Sequence, residues 1–491
     1  MTPERTQGSP VSEPASGRRI ASAVAWQLGG RMLGTVASIA AIALTTRALG
    51  PVSYGHLNTA IFFIGLWTSL TELGIGVVIV RRVSASEGDL QRLVGINLAF
   101  SLSYCLPLAA LAAVSGWLVY SDQPEVQSML LILSASLTLT TLSSCLNPIF
   151  MSAVRFSAVA LADTLSRVVM LVVTIVLVTV RADHVWYVLP QVAAPATLLL
   201  VQGIAAHRII PLRIVMSVKE TWGLVRESLP QTMVLIIGVL YWRIDGVILS
   251  LLSTPAEVGR YGLAYQTAFT LSLMGNFFLG ATLSTMTGLF ASSRERFAIF
   301  IERSMGLMMA VAVPIAVVGF FVGRDLVALL GSEQFVDKSN LVMPLLLVAV
   351  GLTFLTGTVS QALFAAHHQA FLLRLNVFNL ACNILLNVVL IPHLGSLGAA
   401  IALVTSEVVG LVVATIRLAT CSGYRTPWMF LLRLAIPTLA AVAGLVLAAQ
   451  WLPPLIAAVI AAAVYVGMNL WVGPVHLRDV REILRKEASD G

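Results

Sequence analysis

Apolar residues in this chain come in long runs broken by short polar segments, and within a run the polar positions follow neither the alternation of a half-buried strand nor the single stripe of a surface helix. A helix that is apolar all round is one surrounded by hydrocarbon or buried in protein. At about 20 apolar residues per crossing, the pattern predicts fourteen membrane helices, centred near Leu33, Trp67, Leu108, Ser136, Leu171, Thr197, Leu240, Ser272, Val311, Val350, Leu385, Val408, Ala440 and Ala461. The first run, Ile20 to Leu44, is too long for a signal-peptide core and has no A-x-A site followed by a soluble domain, so it reads as an uncleaved span. Residues 1–17, rich in Ser, Pro, Glu and Thr, read as a disordered cytoplasmic tail. Between Val475 and Ala488, apolar residues recur at helical spacing among Arg478, Arg481, Arg485 and Lys486, which predicts an amphipathic helix on the inner leaflet.

Composition turns this into an all-α polytopic membrane protein: 58% of the residues are hydrophobic and only 11% charged, with a mean hydropathy of +0.91, against about 25% charged in a soluble domain. The net charge of +7 does not point to nucleic acid, because the basic residues are strung along short loops and form no patch. With the N-terminus inside, 21 of the 30 basic residues fall in cytoplasmic segments and five (Arg47, Arg181, Arg260, Arg324 and Lys338) outside; the positive-inside rule then places both termini in the cytoplasm and the protein in the cell membrane. The four cysteines have no CxxC spacing and read as packing residues, so no metal site is expected. No G-x-x-x-x-G-K-[ST] is present, so a phosphate-binding ATPase loop is excluded. A membrane glycosyltransferase would need a carboxylate-bearing outer loop, and the longest, about 323–340, holds no Asp-x-Asp. We therefore expect a transporter, with no catalytic residues and no cofactor.

Arg31 and Arg243 interrupt two of the runs, and each reads as lying near mid-bilayer. An arginine there costs at least roughly 2.5–3.5 kcal/mol, so it faces a partner or a wet cavity: either an anionic substrate or a structural ion pair. Asp245 is two residues from Arg243, on a different helix face. Asp245, Glu407 and Glu72 are candidates for coupling to H⁺ or Na⁺, or for inter-helix salt bridges. Asp163 and Arg167, four apart, have the spacing of a self-neutralising pair. Trp26, Tyr241, Asn276 and Asn379 head the aromatic and amide residues able to line a sugar path, with interhelical hydrogen bonding as the alternative for each amide.

The halves echo each other. Pro51 to Gly55 after the first span is matched by Pro255 to Gly262 after the seventh, and Arg155–Arg167 can be laid over His368–Leu380 about 213 residues on. A Tyr-Gly turn alone needs no further explanation than ending a helix; two echoes in the same order argue for an internal repeat.

The strings TRALGPVSYG (46–55), RIDGVILSLLSTPAEVGRYGLAYQ (243–266), LVALLGSEQF (326–335) and NVVLIPHLGSLGAAIALVTSE (387–407) resemble the Wzx-type polysaccharide-biosynthesis flippases of the multidrug/oligosaccharidyl-lipid/polysaccharide (MOP) exporter superfamily, over roughly Arg18 to Pro474. The resemblance implies two pseudo-symmetric six-helix lobes around a cavity plus two C-terminal helices, divided as 18–207, a cytoplasmic linker 208–228, 229–422 and 423–474, followed by the tail 475–491. It implies a polyprenyl-diphosphate-linked oligosaccharide as substrate, moved from the cytoplasmic to the outer leaflet, with the bilayer and a polysaccharide polymerase as partners. The chain lacks the dense cavity arginines of the lipid II branch in its first two spans, which makes lipid II an alternative, alongside an ion-coupled drug exporter.

Overall fold

A computed structural model describes residues 17–71, 73–153, 156–337 and 339–474, except the side chains of 17–28, 156, 273–278, 280, 281, 284 and 455. Most of the tail 1–17, Glu72, the tail 475–491, and the side chains of Trp26 and Asn276 thus lie outside the described residues. The chain folds as α1 (Gly17–Thr68), α2 (Ile75–Ser84), α3 (Leu90–Val119), α4 (Pro124–Ser144), α5 (Asn147–Ser152), α6 (Phe156–Thr179), α7 (Leu189–His207) and α8 (Val218–Leu252). It continues as α9 (Pro255–Ser292), α10 (Arg294–Gly331), α11 (Val342–Ala365), α12 (Gln369–Leu394), α13 (Ser396–Ser422), α14 (Trp428–Ala449) and α15 (Pro454–Trp471), with no strand among the described residues.

Several boundaries follow from local chemistry. The Asp89 carboxylate accepts the Arg92 N–H at 2.9 Å and caps α3, and Thr254 caps α9 with Pro255 in its first turn. Ser293 ends α9 and caps α10. Within α1, Gly50 has φ 68° and ψ 175°, which no side-chain-bearing residue adopts readily. The stretch Gly29–Thr68 is 40 residues, about 60 Å of helix or twice the roughly 30 Å hydrocarbon core. The chain reverses at Gly50. Before it, Gly34 and Ser38 lie beside Arg167 of α6; after it, His56 meets Glu125 at the start of α4 while Leu70 accepts from the Tyr104 hydroxyl in mid-α3. The two halves are therefore separate crossings joined by a tight turn. Among the described residues eleven helices are long and apolar enough to span, with Gly29–Thr68 taken as one and the shorter α15 left out, so the expected fourteen is an approximate count.

The expected repeat is visible as packing. The first half of α1 lies on α6, and α8 lies on α12, so the first and fifth spans of each lobe adjoin in the same way. α14 and α15 pair with each other and rest on α10. Buried side chains then define the shape. One core runs through both lobes at the Gly50 end, where Tyr54 meets Phe335 edge-on at 5.6 Å and Phe62 meets Tyr265 at 5.5 Å. At the opposite end the lobes have separate cores, one of α9 to α15 residues and one of α2 to α8 residues. The lobes thus close at the Gly50 end and diverge at the end where the linker runs, which is held to the first lobe by Arg81 and Arg82 on Glu227 and by Arg92 on Glu220. Leu106, Leu131 and Leu385, all more than 60% exposed, point outward, as suits helices solvated by lipid rather than water.

Candidate functional site

The cleft between the lobes is built on α1 and α8, and glycines set how closely these cross. A Cβ on Gly246 would stand 2.3 Å from the Phe62 ring, and one on Gly65 would stand 3.1 Å from the Arg243 Cδ. Close approach of the two backbones brings the Arg243 side chain into the interface between lobes. Arg243 lies nine residues before the end of α8, about 14 Å along the axis, which fits mid-membrane depth. Arg31 lies nineteen residues before Gly50, about 28 Å along its half-helix, and is exposed. The two arginines thus stand at different distances from the Gly50 end.

Three cavities follow one another along α8. The largest, of ≈ 400 Å³, is lined among others by Ser38, Thr45, Arg167, Gln191, Arg243 and Gln266. A second, of ≈ 280 Å³, shares Arg243 and adds Thr68, Trp242 and Thr353. The third, of ≈ 190 Å³, shares Trp242 and is lined by Tyr241, Asn376, Asn379 and Glu407. The fold thus gathers Arg243, Tyr241, Asn379 and Glu407 along one track; Arg31 is not among the lining residues of these cavities.

Asp245 and Glu407 are held by tyrosines, not by arginines, among the described residues. The Asp245 carboxylate is buried against α9, where it accepts from the Tyr261 hydroxyl at 2.9 Å, and that of Glu407 accepts from the Tyr241 hydroxyl at 2.9 Å. Among the described residues neither makes a salt bridge, and no hydrogen bond or ion pair joins Arg243 to another described side chain. Asp245 and Arg243 do face different ways. Each of these two carboxylates is thus held by a tyrosine hydroxyl and not by a cation among the described residues.

Arg167 is a cavity residue that its helical spacing from Asp163 conceals in the sequence. The pair is present, with Arg167 Nε on Asp163 Oδ2 at 3.0 Å, but the guanidinium also donates to Ser38 Oγ at 3.1 Å and reaches the largest cavity. The signal was available: a charge inside an apolar run is unusual even when a partner stands one turn away. The cavity therefore has one arginine from each lobe, Arg167 from α6 and Arg243 from α8. Two other amides turn out to tie helices together, Gln202 to Ser143 at 2.7 Å and Gln266 to Asn58 at 2.6 Å.

The chain is 29% identical over 176 residues to the probable flippase AglR of Haloferax volcanii, a match covering 35% of this chain and 37% of the relative. The chain thus aligns with little more than a third of that relative's length. Its fold is that of the lipid II flippase MurJ in an inward closed conformation, with a TM-score of 0.73 at 15% identity over 92% of this chain and 98% of the other. An inward-facing multidrug-resistance MATE family transporter of the MOP superfamily superposes with a TM-score of 0.60 at 15% identity over 80% and 98%. A family profile described as polysaccharide biosynthesis protein matches residues 20–289, the whole first lobe and the helices α8 and α9 that carry Arg243 and the second Tyr-Gly turn. This chain belongs to the polysaccharide biosynthesis protein family.

Proposed function

We propose that this protein is a flippase that carries a polyprenyl-diphosphate-linked oligosaccharide from the cytoplasmic to the outer leaflet, the lobes rocking about the cavity they share. The observation that carries this reading is Arg243: a guanidinium in the middle of a membrane helix, facing a cavity, with no carboxylate joined to it among the described residues. A diphosphate offers oxygens that a guanidinium grips bidentately, and Arg167 on the other lobe supplies a second fork. Arg31 then lies on the approach to the cavity from the linker end, where an anionic headgroup would enter. The family match and the flippase among the relatives support the direction of this reading.

In this reading the linker end is cytoplasmic, both termini lie inside, and the sequence division at 18–207, 208–228, 229–422 and 423–474 marks the moving parts. Tyr241, Asn379, Trp26 and Asn276 contact sugar, and Glu407, Asp245 and Glu72 couple movement to H⁺ or Na⁺. A polysaccharide polymerase would consume the product on the outer face. The acidic third cavity favours a second reading, an ion-coupled exporter of small cations, since Glu407 would suit a cationic cargo. The deciding experiment is deletion followed by analysis of lipid-linked intermediates: a flippase predicts their accumulation on the cytoplasmic leaflet, and an unchanged pool with altered drug sensitivity favours the exporter.

A further inference from the structure

A fourth cavity, of ≈ 210 Å³, lies in the first lobe toward the linker end, between α2, α3, α5 and α8. We propose that it is a carbohydrate subsite, which takes a neutral sugar unit of the translocated glycan remote from the diphosphate; this rests on the flippase reading above.

Its chemistry differs from that of the arginine cavities. Thr71, Asn97, Ser101, Tyr104, Asn147 and Gln231 contribute amides and hydroxyls, and none of the described lining residues is charged. Asn97 is 5% exposed and lines the cavity, yet its carboxamide makes no hydrogen bond to another described residue. An amide turned to the cavity in this way keeps its donors and its acceptor for whatever fills the space. A lipid tail would not satisfy an amide, and a phosphate would find no cation. A sugar hydroxyl both donates and accepts, as the amides do. Phe100 and Tyr104, stacked at 5.6 Å with their planes 6° apart, add a flat apolar wall. At ~30 Å³ per water the space corresponds to about seven waters, the scale of one ring with its hydroxyls.

The position sets which sugar it takes. Gln231 precedes Arg243 by twelve residues on α8, about 18 Å along the axis, and Thr71 lies three residues past Thr68 of the second cavity. The subsite and the arginines thus lie on one track along α1 and α8, too far apart for the sugar bonded directly to the diphosphate. The Gln231 side chain lies over Gly74, where a Cβ would stand 3.0 Å from the Gln231 Cγ.

The test uses the full-length protein in nanodiscs and two probes: undecaprenyl diphosphate without sugar, and the glycan-bearing lipid fraction extracted from the source cells. Wild type should bind the glycan-bearing lipid about tenfold or more tightly than the bare one. Asn97→Leu should erase that advantage while leaving the bare lipid's affinity unchanged. Gln231→Leu, at an exposed position, should do the same where folding of the first variant is in question. Equal binding of both lipids by wild type, or an undiminished advantage in both variants, overturns the subsite. Binding of neither lipid overturns the flippase reading and the subsite with it.

Discussion

Gly55 and Gly259 hold reciprocal positions where the two lobes meet: a Cβ on Gly55 would stand 1.8 Å from the Pro255 carbonyl oxygen, and one on Gly259 would stand 2.1 Å from that of Pro51. The two turns that echo each other in the sequence are thus in direct contact, each half supplying a glycine to the other half's proline. Any side chain at either position would press on backbone, which cannot rotate away. The closed Gly50 end therefore depends on the absence of two methyl groups.

Gly55→Ala and Gly259→Ala should each favour the state open at the Gly50 end. Overpacking of this kind costs about 1–3 kcal/mol, enough to shift a two-state ratio by roughly 5- to 150-fold. Spin labels at Val52 and Leu252, both exposed, should move apart, while labels at Val83 and Ser292 at the linker end approach. A reversible cross-link between Val83 and Ser292 should arrest transport. Unchanged distances in both alanine variants, or full activity with the cross-link in place, would exclude rocking of the lobes.

Arg243→Ala should sharply lower transport without lowering the amount of protein in the membrane, because no carboxylate is ion-paired to Arg243 among the described residues and none would be stranded. Loss of a charge-assisted grip of about 1.5–3 kcal/mol predicts roughly a ten- to hundredfold fall, and Arg243→Lys should recover part of it, keeping charge without the fork. Arg31→Ala should also impair transport. Arg167→Ala should act like Arg243→Ala, with little effect on stability, since its half-exposed partner Asp163 is reachable by water. Complementation read beside membrane protein content decides: normal complementation by the Arg243 and Arg167 alanine variants rules out an anion site, and parallel loss of protein and activity points to a structural role.

Glu407→Gln keeps an acceptor for the Tyr241 hydroxyl and removes the charge. Protein level should hold while transport loses its dependence on the ion gradient, measured as insensitivity to ionophores in vesicles. Ionophore sensitivity equal to wild type would remove Glu407 from coupling and leave it a helix-tying residue.

Cysteines at Ser121 and Lys338 should react with an impermeant reagent in intact cells, and cysteines at Ser293 and Ala419 should not. The expectation rests on the uneven distribution of basic residues between the loops of the two sides. Labelling of Ser293 from outside would invert the orientation and with it the direction of transport.

Much of this molecule is legible without coordinates. Twenty-residue apolar runs with short polar joints can only be membrane helices, because in hydrocarbon each backbone amide must find its partner within its own helix. The repeat is legible too, since a Pro-x-x-x-Gly turn leaves a mark in local sequence, and so is the oddity of Arg243, because a charge inside such a run has no cheap place to go. What local sequence could not tell is which faces of the helices meet. Asp163 and Arg167 were readable as a pair one turn apart, but that Arg167 also reaches Ser38 of α1 and the central cavity depends on how α6 lies against α1. Asp245 and Glu407 could not be assigned their tyrosines, which stand 16 and 166 residues away. Arg31 and Arg243 look alike in sequence, and only the fold shows that Arg243 lines the cavities between the lobes while Arg31 is not among their lining residues. Helix formation in a membrane is a local, backbone-driven event and is written along the chain; the cavity is made by contacts between distant helices, where a glycine or a rotation of a fraction of a turn decides which side chain faces the path.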